Sequence, residues 1–152
     1  MMQIEKLEHR NDIHTCARIM FSSEPWITLK RDFEQSLAAI QNPDAEKYMV
    51  KIDGQIAGFA IIKMKGSFVG YIQSIVFAET YRGKGLGTEM IKYLEKRIFS
   101  ETPNVFICTS SFNPRALKLY QRLGYEKVGK LKDYIVKGHS EILLRKTIGP
   151  LS

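Results

Sequence analysis

Apolar positions recur along this chain with two different periods. Residues 2–7, 48–52, 56–64 and 69–77 are short runs rich in Ile, Val, Tyr and Phe, the make-up of β-strands. Ile13, Cys16, Ala17 and Met20 fall on one side of a helix, with Asn11 or Asp12 as its expected cap. Pro25 interrupts that region. Thr28 is the expected cap of a second helix carrying Leu29, Phe33, Leu37 and Ile40 on one side, and Asn42-Pro43-Asp44 ends it.

Asp53-Gly54 lies between two apolar runs, which predicts a hairpin. Gly66-Ser67 predicts a further turn, so three antiparallel strands follow in series. Residues 85–99 predict a helix that buries Leu86, Met90, Ile91, Leu94 and Ile98, with Thr88, Glu89, Lys92 and Lys96 outward. Pro103-Asn104 breaks the chain before a short strand at 105–109. Asn113 then caps a helix with Pro114 at its first position, an inner stripe of Ala116, Leu117, Tyr120 and Leu123, and Gly124 as its stop. Residues 125–136 and 142–147 predict two last strands joined through Gly138-His139. The order β-α-α-β-β-β-α-β-α-β-β is an α+β or mixed α/β pattern, a sheet flanked by helices. No repeat or linker divides it, so a single domain over 1–152 is expected.

The length of 152 residues suits one domain with one core. A net charge of +7 could serve nucleic acid, a membrane surface or an anionic ligand. The basic residues are spread along the chain, without a helix-turn-helix, zinc spacing or RNA-reading aromatic signature, which argues against a nucleic-acid partner. No apolar run approaches the roughly 20 residues that span a bilayer, so no membrane partner is expected. The N-terminus lacks the apolar core of a signal peptide. Cys16 and Cys108 stand alone among apolar neighbours, as free thiols of a reducing compartment do. A cytoplasmic protein is expected. His9, His14 and His139 are scattered without metal-ligand spacing, so no metal is expected.

One segment carries chemistry on its face. Tyr81-Arg82-Gly83-Lys84-Gly85-Leu86-Gly87 joins a strand run to a helix run. Glycines bring backbone close to a bulky ligand, and N–H groups at a helix start favour an anion. The P-loop string is absent, and glycines spaced two and two do not match the dinucleotide fingerprint, which disfavours a nicotinamide enzyme. The form Gln/Arg-x-x-Gly-x-Gly/Ala is matched by Arg82-Gly83-Lys84-Gly85-Leu86-Gly87. This resembles the pyrophosphate-binding motif of the GNAT N-acetyltransferase superfamily. A second string one strand later, Asn113-Pro114-Arg115-Ala116 through Tyr120 to Gly124-Tyr125, is similar to that superfamily's Asn-x-x-Ala-x-x-x-Tyr-x-x-x-Gly-Phe/Tyr. The element order agrees, and the resemblance is strongest over about residues 48–147.

The resemblance implies a mostly antiparallel central sheet splayed after its fourth strand. It implies acetyl transfer from acetyl-CoA to a primary amine by direct attack in a ternary complex. For the cofactor it implies the backbone N–H groups of Arg82, Gly83, Lys84, Gly85, Leu86, Gly87 and Thr88, and pairing of pantetheine amides with Ile75, Val76 and Phe77. The Phe77 N–H is the candidate donor to the thioester carbonyl, Asn113 a candidate contact to the pantetheine arm, and Lys118 or Arg122 to the nucleotide phosphates. Tyr120 resembles the tyrosine that protonates the departing thiolate. The general base stays open. Gln73 and Ser74 could hold a relay water, while Glu79, Asp133 and Glu141 are carboxylate candidates. Residues 23–29 and the last hairpin are expected to form the acceptor pocket, with Trp26, Tyr71 and Tyr134 as liners. The net charge argues against a strongly cationic acceptor, unless the pocket is locally acidic. A monomer or a homodimer is compatible with the sequence. A GNAT-like protein that binds acetyl-CoA only as a sensor or scaffold is the main alternative.

Overall fold

The computed structural model describes residues 2–152; Met1 lies outside the described residues. Strand β1 (Met2–Lys6) is followed by helices α1 (Arg10–Phe21) and α2 (Phe33–Gln41). Three strands come next, β2 (Ala45–Ile52), β3 (Gln55–Lys63) and β4 (Tyr71–Phe77). A 3-10 turn at Glu79–Tyr81 leads to α3 (Leu86–Phe99), then β5 (Asn104–Ser110), α4 (Pro114–Arg122), β6 (Glu126–Lys132) and β7 (Ser140–Thr147). The order matches the expected one. No helix among the described residues is long and apolar enough to cross a membrane.

The strands form one seven-stranded sheet in the order β1-β2-β3-β4-β5-β7-β6. Every neighbouring pair is antiparallel except β4 with β5. That parallel pair holds only at Tyr71↔Phe106 and Ile72↔Ile107 and then opens. Beyond Ile72, β4 keeps β3 on one side and loses its partner on the other. The register of β4 against β3 also shifts, from Ile61↔Ser74 to Ile62↔Ile72, so Gln73 is the extra residue of a bulge. The splay expected after the fourth strand is present, and the bulge sits beside it.

The alternation of each strand feeds two cores. Ala60, Ile62 and Ile72 pack with Met90, Ile91, Leu94 and Ile98 of α3. Phe59, Ile61 and Val76 face the other way, against Cys16, Ala17 and Met20 of α1 and Ile40 of α2. The bulge explains why Ile72 and Val76, two even positions on one strand, serve opposite faces. Gly70, just before β4, has φ 91° and would put a Cβ within 2.4 Å of the Asn104 carbonyl, which is how the start of β4 comes so close to β5.

Four local expectations need correction. Helix α1 begins at Arg10 with His9 at its N-cap, so Asn11 and Asp12 lie inside the first turn, where Asp12 meets the helix dipole. Thr28 caps nothing: its N–H and hydroxyl both donate to the Glu24 carboxylate within a turn. Helix α2 starts later, from Asp32, whose capping box with Gln35 satisfies donors at both residues. Leu29 is therefore off the helix. The strand expected over 125–136 stops at Lys132, because Asp133 turns to φ 53° and accepts from the Gly138 N–H at 2.8 Å, closing a loop. Leu86 is half-buried rather than core, since it sits in the first turn at the glycine segment.

Candidate active site

The gap between β4 and β5 becomes a cleft. Its inner part is a cavity of about 260 Å³ reaching from Trp26 and Glu24 past β4 to the ends of β5 and β7 and to α4. An outer groove of about 450 Å³ runs over the glycine segment between α3 and α4. The two share Phe77, Gly87, Asn113, Ala116 and Leu119 and form one channel.

The outer groove is a backbone site. Gly83 and Gly85 hold φ 75° and 77°, the left-handed region that glycine enters without cost. A Cβ at either would meet nothing within 4 Å, so the space beyond them is open. Gly85 stands at the N-cap of α3 with no side-chain cap. Outside the helices and strands, no backbone hydrogen bond uses the N–H of Gly83, Lys84 or Gly85. Those of Leu86, Gly87 and Thr88 open the first turn of α3 and have no intrahelical acceptor. Arg82 differs: its N–H donates to the Glu79 carbonyl at 3.2 Å. Its guanidinium donates to the Phe77 carbonyl and to Ser23 Oγ, both at 2.9 Å, so its charge ties the turn to the α1–α2 connection. Lys84 reaches over the Tyr81 ring. Arg115 and Arg122 of α4 line the groove; Lys118 is exposed and does not.

The open edge of β4 connects groove and cavity. The Ala78 N–H donates to Ala57 of β3 at 2.8 Å, so Phe77 turns its own N–H and C=O away from β3. Ile75 and Phe77 line the cavity; the side chain of Val76 points into the opposite core. Asn113 lines both parts, and its Oδ1 accepts from the Ala116 N–H at 3.3 Å as a helix cap.

Tyr120 projects from α4 into the cavity, and its hydroxyl has no hydrogen-bond partner among the described residues. Burial pushes its phenol up to about 12, so it stays protonated through neutral pH and can donate. Gln73, thrown out by the bulge, lines the same cavity with a buried Oε1 that has no partner among the described residues. Ser74 also lines it and is buried.

The carboxylate candidates separate clearly. Glu79 lies in the 3-10 turn, exposed, by a different hollow shared with Ser22 and Ser23. Asp133 closes the β6–β7 loop. Glu141 is 7% exposed, lines the cavity, and accepts from Ser110 Oγ at 2.6 Å. Burial raises its pKa, and the Ser110 hydrogen bond partly offsets that. Among the acceptor-pocket candidates, Trp26 lines the cavity. Tyr71 lies behind it against Cys108, with its phenol pushed up chiefly by burial, and Tyr134 is 65% exposed on the loop after β6. Glu24 and Leu29 line the cavity from within the expected 23–29 stretch, while sequence reasoning missed Ser110, Cys108 and Arg115 as lining residues. No local signal marks Ser110, because its pairing with Glu141 comes from the β5–β7 register. No group of three or more metal-binding side chains occurs among the described residues.

A splayed sheet with an uncapped, glycine-built helix start at the gap defines a class of proteins that seat an extended, diphosphate-bearing ligand between two strands. The chain belongs to the GNAT acetyltransferase family: the family described as "Acetyltransferase (GNAT) family" matches residues 8–125. It is similar to an N-alpha-acetyltransferase of Sulfurisphaera tokodaii, 24% identical over 114 residues, covering 66% of this chain and 68% of that one. It is also similar to N-alpha-acetyltransferase 30 of Dictyostelium discoideum, 30% identical over 101 residues, with 64% of this chain and 55% of the other covered. The chain thus spans only about half to two thirds of these relatives' length. Among solved structures, an aminoglycoside 6'-N-acetyltransferase complexed with coenzyme A superposes with a TM-score of 0.77 at 17% identity, covering 97% of this chain and 98% of that one. The names of the relatives support an N-acetyltransferase enzyme.

Proposed function

We propose that this protein moves an acetyl group from acetyl-CoA to a primary amine by direct attack in a ternary complex. The observation that carries the reading is the continuous channel from the free N–H groups of the glycine segment to the Tyr120 hydroxyl. The residues present fit the donor. Gly83 to Thr88 offer N–H groups to a diphosphate, with open space over Gly83 and Gly85. Arg115 and Arg122 add positive charge along the groove. The open edge of β4 from Ile75 to Phe77 offers main-chain partners to an extended amide-bearing arm, as strand edges do. Acetyl-CoA supplies the thioester-activated acetyl group.

The chain's own groups then have defined jobs. The outward Phe77 N–H donates to the carbonyl oxygen, where negative charge grows during attack. Tyr120 donates its proton, or a strong hydrogen bond, to the leaving sulfur. Gln73 and Ser74, which line the cavity, would hold a water beside the nucleophile. The N-alpha and aminoglycoside acceptors in the relatives' names remain properties of those proteins; here the acceptor is a primary amine that enters beside Trp26.

Calorimetric titration with acetyl-CoA, with NADH and a short DNA duplex as comparators, tests the reading. Binding of acetyl-CoA alone is expected. No acetyl-CoA binding by folded protein would end it.

A further inference from the structure

The acceptor end of the cleft has a charge character opposite to that of the whole chain. The protein carries +7, yet no Lys, Arg or His lines the cavity of about 260 Å³. Its charged lining is Glu141 at depth and Glu24 at the mouth. Glu141 is fixed by a second residue: Ser110 and Glu141 are direct cross-strand partners, and the Ser110 hydroxyl donates to Oε2. Oε1 has no hydrogen bond among the described residues. On β4, the buried Oε1 of Gln73 is also without a donor. A buried acceptor left unpaired is unfavourable, so the Gln73 oxygen calls for a donor from a guest, and Glu141 Oε1 at the same cavity can accept a second.

We propose that Glu141, held by Ser110, is the proton acceptor of the reaction, and that the acceptor substrate is a cationic amine with no carboxylate beside its nitrogen. This rests on the acetyl-transfer reading above. An ammonium donates to Glu141 Oε1 and Gln73 Oε1 and gives one proton to Glu141. The neutral nitrogen forms the C–N bond to the acetyl carbon as the C–S bond breaks. The electron pair leaves on sulfur. The thiolate takes its proton at the Tyr120 hydroxyl, which is replenished by the second proton shed from nitrogen. Glu141 returns its proton to solvent, so one proton is released per turnover. A carboxylate next to the amine would face Glu141 and Glu24 with no cation in the lining to offset it, which excludes the α-amine of free amino acids.

The groups facing Glu141 are Tyr71 of β4, Cys108 and Ser110 of β5, and Tyr120 of α4 across the cavity. Burial raises Tyr71, Tyr120 and Cys108, which keeps them protonated, so Glu141 is the one carboxylate of this set that can accept a proton. The expected kcat/KM therefore rises with pH as Glu141 loses its proton.

The test uses the full chain, its Glu141→Gln and Ser110→Ala variants, and hexylamine, tyramine, alaninamide and alanine as acceptors. The parent is expected to acetylate alaninamide at least about tenfold faster than alanine. E141Q is expected to bind acetyl-CoA as the parent does, to lose about 100-fold or more in kcat, and to lose the rising pH limb. S110A is expected to move that limb to higher pH, because the hydrogen bond that lowers the carboxyl pKa is gone. Parent-like rate and pH limb in E141Q, an unmoved limb in S110A, a preference for alanine, or transfer to none of these amines by a parent that binds acetyl-CoA would each overturn the proposal. A parent that fails to bind acetyl-CoA would overturn the donor reading instead, a separate result from the same titration.

Discussion

At one end of the cleft, Gly83 to Thr88 present main-chain N–H groups from a single stretch of sequence. At the other, Gln73, Ser110, Tyr120 and Glu141 arrive from β4, β5, α4 and β7. The first end recognises through backbone, so its requirement is conformational: glycine where φ is positive, and a helix start without a side-chain cap. The second recognises through side chains, so its requirement is placement by strand register and by the bulge at Gln73. Substitutions at the two ends should accordingly separate cofactor affinity from turnover.

The largest separation is expected from Tyr120→Phe. Loss of the hydroxyl should lower kcat by about 100-fold, near 2.7 kcal/mol in the barrier, with acetyl-CoA affinity unchanged in calorimetry. Equal kcat in the two proteins would remove Tyr120 from the chemistry. Gly85→Val should do the reverse. It forces a branched side chain into the left-handed region and into the space over the helix start, and acetyl-CoA affinity should fall at least about tenfold, or 1.4 kcal/mol. Unaltered affinity would mean that the donor does not lie against this turn.

Arg82 joins the two ends. Its side chain holds the Phe77 carbonyl and Ser23. Arg82→Ala should therefore cost about 1 kcal/mol of stability in denaturant melts and raise KM for donor and amine together by a few-fold. A rise for the donor alone would return Arg82 to phosphate binding. The smallest effect is a control far from the cleft. Arg97 of α3 grips Glu46 of β2 with two hydrogen bonds, at 2.9 and 2.6 Å. Burial pushes Glu46 up, but hydrogen bonds from Arg97 and Tyr48 outweigh it and hold the carboxyl below its usual range. The stabilisation is thus complete above the ordinary glutamate pKa and fades as pH falls through the lowered one. Arg97→Met should cost about 1 kcal/mol or less near neutral pH, the loss shrinking in acid, with kcat and both KM values unmoved. A changed kcat would show that this β2–α3 tie and the cleft are coupled.

The net positive charge of the sequence argued against a strongly cationic acceptor, unless the pocket proved locally acidic. The charged residues that line the cavity are carboxylates alone, which is the exception that the sequence reading named. Basic residues are distributed over the outer surfaces and the cofactor groove, while Glu141 is enclosed by pairing two strands.

The chain order of elements, the glycine segment, the Asn113–Pro114 helix start and the Tyr120 position were all legible in sequence. Each is a local matter of residue type and spacing within a few turns of backbone. Tertiary structure decided the rest. The cap of α2 moved from Thr28 to Asp32 because Glu24 claimed Thr28 first. Glu141 was separated from Glu79 and Asp133 only when β7 was laid beside β5, putting residues 31 positions apart in direct contact. Sequence spacing fixes what a residue can do with its near neighbours. Which distant carboxylate shares a cavity with Tyr120 depends on sheet register, and register is set by how two cores close on both faces at once.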